Sequence, residues 1–117
     1  LPIFYDIDVE NEMELGYIQS PGMAIGMVPP EIFDDVIEDT AVHFGIDGAL
    51  LLYTDGVTES TAPSGDEFGS ERLKKLLGAQ GDRSAQKIVD HTLSTLGQFT
   101  AGSPQLDDLT LIVIKHD

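Results

Sequence analysis

Apolar residues recur at every second position from the start of the chain. Ile3, Tyr5, Ile7 and Val9 share one face, and residues 1–9 are predicted to form a strand. The acid-rich VENEMELG marks a turn into a second short strand, expected at about Met13 to Tyr17. SPGMAIGMVPP is broken by Pro and Gly and reads as a loop, with a few extended residues around Ala24–Met27. Residues 36–44, VIEDTAVHF, are rich in β-branched side chains and are predicted as a strand. GIDG, residues 45–48, reads as a tight turn into a further strand over 49–54. The period then changes. A helix capped by Ser70 is expected through Gly78, with Leu73, Leu76 and Leu77 on one face. A second helix is predicted over Ser84–Phe99, with the stripe Ile88, Val89, Thr92, Leu93, Leu96 and Phe99. AGSPQ is a loop, and Leu109–Lys115 is the closing strand. Strands followed by two helices predict an α+β fold with an antiparallel sheet rather than a doubly wound one.

Two of these strands end on carboxylates. LLLYTDGVTES (residues 50–60) stops on Asp55, and QLDDLTLIVI (residues 105–114) opens with Asp107 and Asp108. If the two strands are antiparallel neighbours, the end of one lies beside the start of the other. Adjacent strands are about 4.8 Å apart, so carboxylates at that edge could share an ion. Clustered aspartates repel unless neutralised. A hard divalent cation such as Mg²⁺ or Mn²⁺ suits carboxylate oxygens. Gly56 would let the backbone turn sharply there. Glu59 lies just past this turn, either touching a metal-bound water or hydrogen-bonding within the loop. The plainer alternative stays open: Asp-Gly is a common turn dipeptide, and Asp107 could cap the entry to a strand.

Composition narrows the chemistry. The chain has no Cys, and His43, His91 and His116 are scattered, which argues against zinc. The net charge is −15, and all six basic residues follow Glu71. Such a surface disfavours nucleic acid and anionic membranes as partners. Arg72, Lys74 and Lys75 form a basic cluster, read as a solvated helix face or a docking patch for an acidic partner. No apolar run is long enough to span a bilayer, and no signal peptide is seen, so a cytoplasmic location is the expectation. The length allows one domain with a modest core. The chain opens on Leu1 in what reads as a strand already under way, so it is expected to be a fragment.

Taken in order, LLLYTDGVTES, GDEFGSERLKKLL, SAQKIV and QLDDLTLIVI resemble the C-terminal half of a bacterial metal-dependent (PPM-type, protein phosphatase 2C-like) serine phosphatase, in the stage II sporulation protein E branch. The resemblance covers roughly residues 20–115. It implies that residues 1–117 are the C-terminal portion of an αββα sandwich without its N-terminal half, with two helices packed on one face of the sheet. It implies two Mn²⁺ or Mg²⁺ ions in the complete domain, Asp55 and Asp107 as metal ligands, and Asp108 as a neighbour that positions a ligand or water. The implied reaction is hydrolysis of phosphoserine or phosphothreonine by direct attack of metal-activated water. The implied substrate is a phosphorylated bacterial signalling protein such as an anti-sigma-factor antagonist. The family's Asp-x-x-Gly-His-Gly motif has no match here; HFGIDG has similar letters in another order. The fragment alone is therefore expected to be inactive or nearly so, and its uncovered sheet to favour a homodimer. The competing reading is a phosphatase-like binding or regulatory module without chemistry.

Overall fold

The structure, a computed structural model, describes residues 3–7, 13–19, 21–43, 45–80 and 83–116. Strands β1 (Ile3–Ile7), β2 (Met13–Tyr17), β3 (Ala49–Tyr53) and β4 (Leu111–Lys115) form one sheet in the order β2-β1-β3-β4. Every pairing is antiparallel. In the β3–β4 register Leu51 faces Val113 and Tyr53 faces Leu111. Among the described residues four helices accompany the sheet: α1 (Pro30–Val36), α2 (Asp55–Thr58), α3 (Gly69–Gly78) and α4 (Ala85–Thr100).

The core lies between the sheet and the α3–α4 pair. Ala49 and Leu51 of β3 are buried with Leu73 and Leu77 of α3 and Ile88 and Leu96 of α4. Val57 and Phe68 complete the cluster. The Phe68 and Phe99 rings meet edge to face at 5.3 Å, and the Arg72 guanidinium lies 5.0 Å from the Phe99 centroid. Helix α4 begins where the Ser84 hydroxyl accepts a hydrogen bond from the Lys87 amide. It ends at Ala101, whose φ of 47° closes the last turn.

Alternation along β4 points Ile112 and Ile114 away from the helices, where they are 51% and 47% exposed. Leu52 and Leu50 stand opposite them in register. One sheet face is thus covered by helices and the other presents an apolar row. The overall dimensions agree, at 46 × 41 × 20 Å with a radius of gyration of 16.2 Å. A fully compact chain of this size would have a radius of about 13 Å.

The α+β class and the antiparallel sheet with helices match the expectation from sequence. Several local expectations are corrected. Residues 37–43 form no strand, and Val36 instead closes α1. Pro30 sits in the first turn of that helix, where its missing N–H costs nothing. Residues 24–27 turn rather than extend, with the Met27 amide donating to the Ala24 carbonyl. Helix α3 starts two residues earlier than expected, with Phe68 at the cap position and no side-chain capping bond, so Ser70 does not cap it. Strand β4 starts at Leu111 rather than Leu109. Leu93, assigned to the buried stripe of α4, is 45% exposed. Residues 1–2 and 8–9 of the first expected strand lie outside the described residues.

Candidate metal centre

Antiparallel pairing of β3 and β4 brings the end of one strand beside the entry to the other. Asp55 follows β3 directly, as the first residue of α2. Asp107 and Asp108 lie just before β4. The seam between them is closed by Thr54. Its amide donates to the Thr110 carbonyl at 3.1 Å. Its hydroxyl accepts from the Thr110 amide at 3.0 Å and donates to the Asp108 carbonyl at 3.3 Å. One hydroxyl thereby fixes where both aspartate segments leave the sheet.

Gly56 is buried against the same seam. A Cβ there would collide with the carbonyl oxygen of Asp108 and crowd Leu109 Cα. Its φ is not positive; it sits within α2. The expectation that Gly56 supplies a sharp turn is corrected: close approach of two backbones is what requires the missing side chain.

The carboxylates differ in their surroundings. Asp107 Oδ1 accepts from the Asp108 amide at 2.8 Å, which orients the side chain. No described residue hydrogen-bonds or ion-pairs with the Asp55 carboxylate; only its backbone carbonyl is engaged, by the Glu59 amide and the Thr58 hydroxyl. All three aspartates are exposed. The Tyr53 phenol is pushed above its ordinary value of 10.0 by burial first, then by Tyr17 and by the Asp55 charge. The Glu59 side chain lines a cavity beside Asp107, and its backbone carbonyl accepts from the Thr61 hydroxyl.

The donor chemistry at this edge suits a hard divalent cation. The donor number does not: among the described residues no group of three or more His, Cys, Asp or Glu is placed to hold a metal ion.

The basic cluster is engaged elsewhere. Arg72 donates to the Glu67 and Phe68 carbonyls and stacks on Phe99. The Lys74 ammonium lies 5.3 Å from the centre of the Tyr17 ring. Thr54, which ties the two aspartate segments together, is not singled out by the sequence pattern. A Thr close to each aspartate motif, Thr54 just before Asp55 and Thr110 two residues after Asp108, was the available signal.

The fold is an α+β domain with one antiparallel sheet. It superposes on the SiaA-PP2C domain of Pseudomonas aeruginosa with a TM-score of 0.72 at 21% identity, over 99% of this chain and 43% of that one. The chain belongs to the stage II sporulation protein E (SpoIIE) family, which matches residues 8–117. That is a PP2C-like phosphatase family, generally dependent on Mn²⁺ or Mg²⁺. A further relative is Protein IcfG of Synechocystis sp., 34% identical over 100 residues. That match spans 86% of this chain and 15% of that protein, so the chain is much shorter than either relative. Among the described residues no helix is long and apolar enough to cross a membrane.

Proposed function

We propose that this chain is the C-terminal portion of a metal-dependent protein phosphatase domain acting on phosphoserine or phosphothreonine of a bacterial signalling protein, such as an anti-sigma-factor antagonist. One observation carries the reading: antiparallel β3 and β4 place Asp55 and Asp107 at one sheet edge, held there by Thr54 and Gly56. In this reading Asp55 and Asp107 each supply a ligand oxygen, and the Asp108 amide keeps the Asp107 carboxylate in position. Bound Mn²⁺ or Mg²⁺ would activate water and offset charge on the phosphoryl group. In this reading the remaining ligands come from the family's Asp-x-x-Gly-His-Gly segment, which has no match here, and the chain alone is inactive or nearly so.

Calorimetric titration with Mn²⁺ tests this on the chain itself, beside Asp55→Asn and Asp107→Asn. Saturable binding lost in both variants supports the assignment; binding that survives both removes it. The same variants in the full-length protein should abolish hydrolysis of a phosphoserine peptide. The second reading is a phosphatase-like binding module without chemistry. It predicts that the full-length protein binds its phosphoprotein and releases no phosphate. The apolar row of Leu50, Leu52, Ile112 and Ile114 supports a homodimer when the chain is isolated. Light scattering at high concentration should then give twice the monomer mass.

A further inference from the structure

A cavity of about 320 Å³ opens beside Asp107, between the second half of α4, residues 59–61 and the loop over 103–109. Its floor is apolar, with Leu96 4% exposed and Leu109 half-buried. Two leucines stand at its mouth in contact with water: Leu93 is 45% exposed and Leu106 82%. Neither contributes to the core.

The helical wall has a gap. Gly97 lies within α4, where Gly is less favourable than any residue but Pro. Its φ is not positive, and nothing lies within 4 Å of where its Cβ would stand. Neither backbone conformation nor crowding explains this glycine. The space it leaves belongs to the cavity.

The rim is acidic. Glu59, Glu67 and Asp107 line the cavity, no Lys or Arg does, and no described residue ion-pairs with the three. With Asp107 given to the candidate centre, Glu59 and Glu67 beside an apolar floor complement a segment with an apolar side chain next to a basic one. We propose that this cavity takes such a pair from the phosphoprotein substrate: an apolar residue in the groove and an adjacent Lys or Arg on the rim, a few residues from the phosphorylated side chain. The proposal rests on the phosphatase reading for the nature of its occupant, because Asp107 is shared between the cavity and the candidate centre.

The test uses the full-length protein and two short phosphoserine peptides. One carries Leu-Lys beside the phosphoserine and the other Ser-Glu. Binding is read by fluorescence anisotropy, and turnover is read in parallel with p-nitrophenyl phosphate, too small to need the groove. The parent should bind the Leu-Lys peptide about tenfold more tightly. Gly97→Leu fills the gap and should remove that preference while the melting temperature holds or rises. Leu106→Ser and Glu67→Gln, both exposed, should each weaken Leu-Lys binding about fivefold and leave p-nitrophenyl phosphate turnover unchanged. Equal affinity of the parent for the two peptides, or a preference that survives Gly97→Leu, overturns the proposal. If the preference is seen but neither peptide nor p-nitrophenyl phosphate is hydrolysed, the docking groove stands and the phosphatase reading falls.

Discussion

Strand β3 is bounded by two Asp-Gly dipeptides, Asp47-Gly48 before it and Asp55-Gly56 after it, and the structure treats them differently. Asp47 is a turn residue. Its φ is 69°, its amide donates to the His116 carbonyl, and its carboxylate pairs with Lys115 at 3.6 Å. The Lys115 ammonium also reaches the Asp47 carbonyl. Asp55 has helical backbone and no partner for its carboxylate among the described residues. The glycine beside it answers to Asp108 across the seam rather than to a turn. The same two letters therefore mark a neutralised corner at one end of the strand and an uncompensated charge at the other. An exposed carboxylate left without a partner, opposite another acidic pair, is an arrangement suited to an ion and not to stability.

The difference can be broken by substitution. In the full-length protein Asp55→Asn and Asp107→Asn should each lower phosphatase turnover about a hundredfold or more, since a metal supplies several kcal/mol of transition-state stabilisation. Asp47→Asn should leave turnover intact and cost at most about 1 kcal/mol. Equal losses at Asp47 and Asp55 would erase the distinction between the two ends.

Gly56→Ala should destabilise the fold by about 2–3 kcal/mol in chemical denaturation, because its methyl meets a backbone carbonyl that cannot swing aside. Gly97→Ala, in open space, should instead stabilise by about 1 kcal/mol. Thr54→Val removes two hydroxyl contacts across the seam and should cost about 1 kcal/mol, while loosening Mn²⁺ binding in the calorimetric titration.

The smallest effect reads the Asp55 charge directly. Below pH 10 the Tyr53 phenol is protonated in folded and unfolded chains alike, and its contribution to stability is complete. Above pH 10 the unfolded chain releases the proton first, so stability declines as pH rises toward the folded value. Tyr53→Phe should flatten that limb. Asp55→Asn should move the ultraviolet titration of Tyr53 downward, and an unmoved curve would show that the two groups do not sense each other.

Much of the seam was legible in the sequence. Apolar runs of strand length, one ending and one beginning on aspartates, required only antiparallel pairing to bring Asp55 and Asp107 to the same edge. What pattern could not supply was context. VIEDTAVHF has strand composition, yet β1 and β3 each already have a neighbour on both sides, and residues 37–43 join neither open edge. Propensity reports how a side chain fits a pleated surface, not whether an edge is free. Leu93 has the right angular position on α4 but lines the cavity and is left 45% exposed. Periodicity fixes a face and says nothing of where the opposing layer ends. The reason for Gly56 was hidden because its neighbour lies 52 residues away in sequence.

The contact of Gly56 with Asp108 also has a bearing on the order of assembly. The carboxylates meet only when β4 has come back along β3, and α3 and α4 lie in the chain between those two strands. That closure spans most of the second half of the chain and is entropically among the later steps. During synthesis Asp55 emerges well before Asp107. The sheet edge therefore acquires its paired charge only once the segment before β4 has been made, and a partly made chain displays one aspartate there.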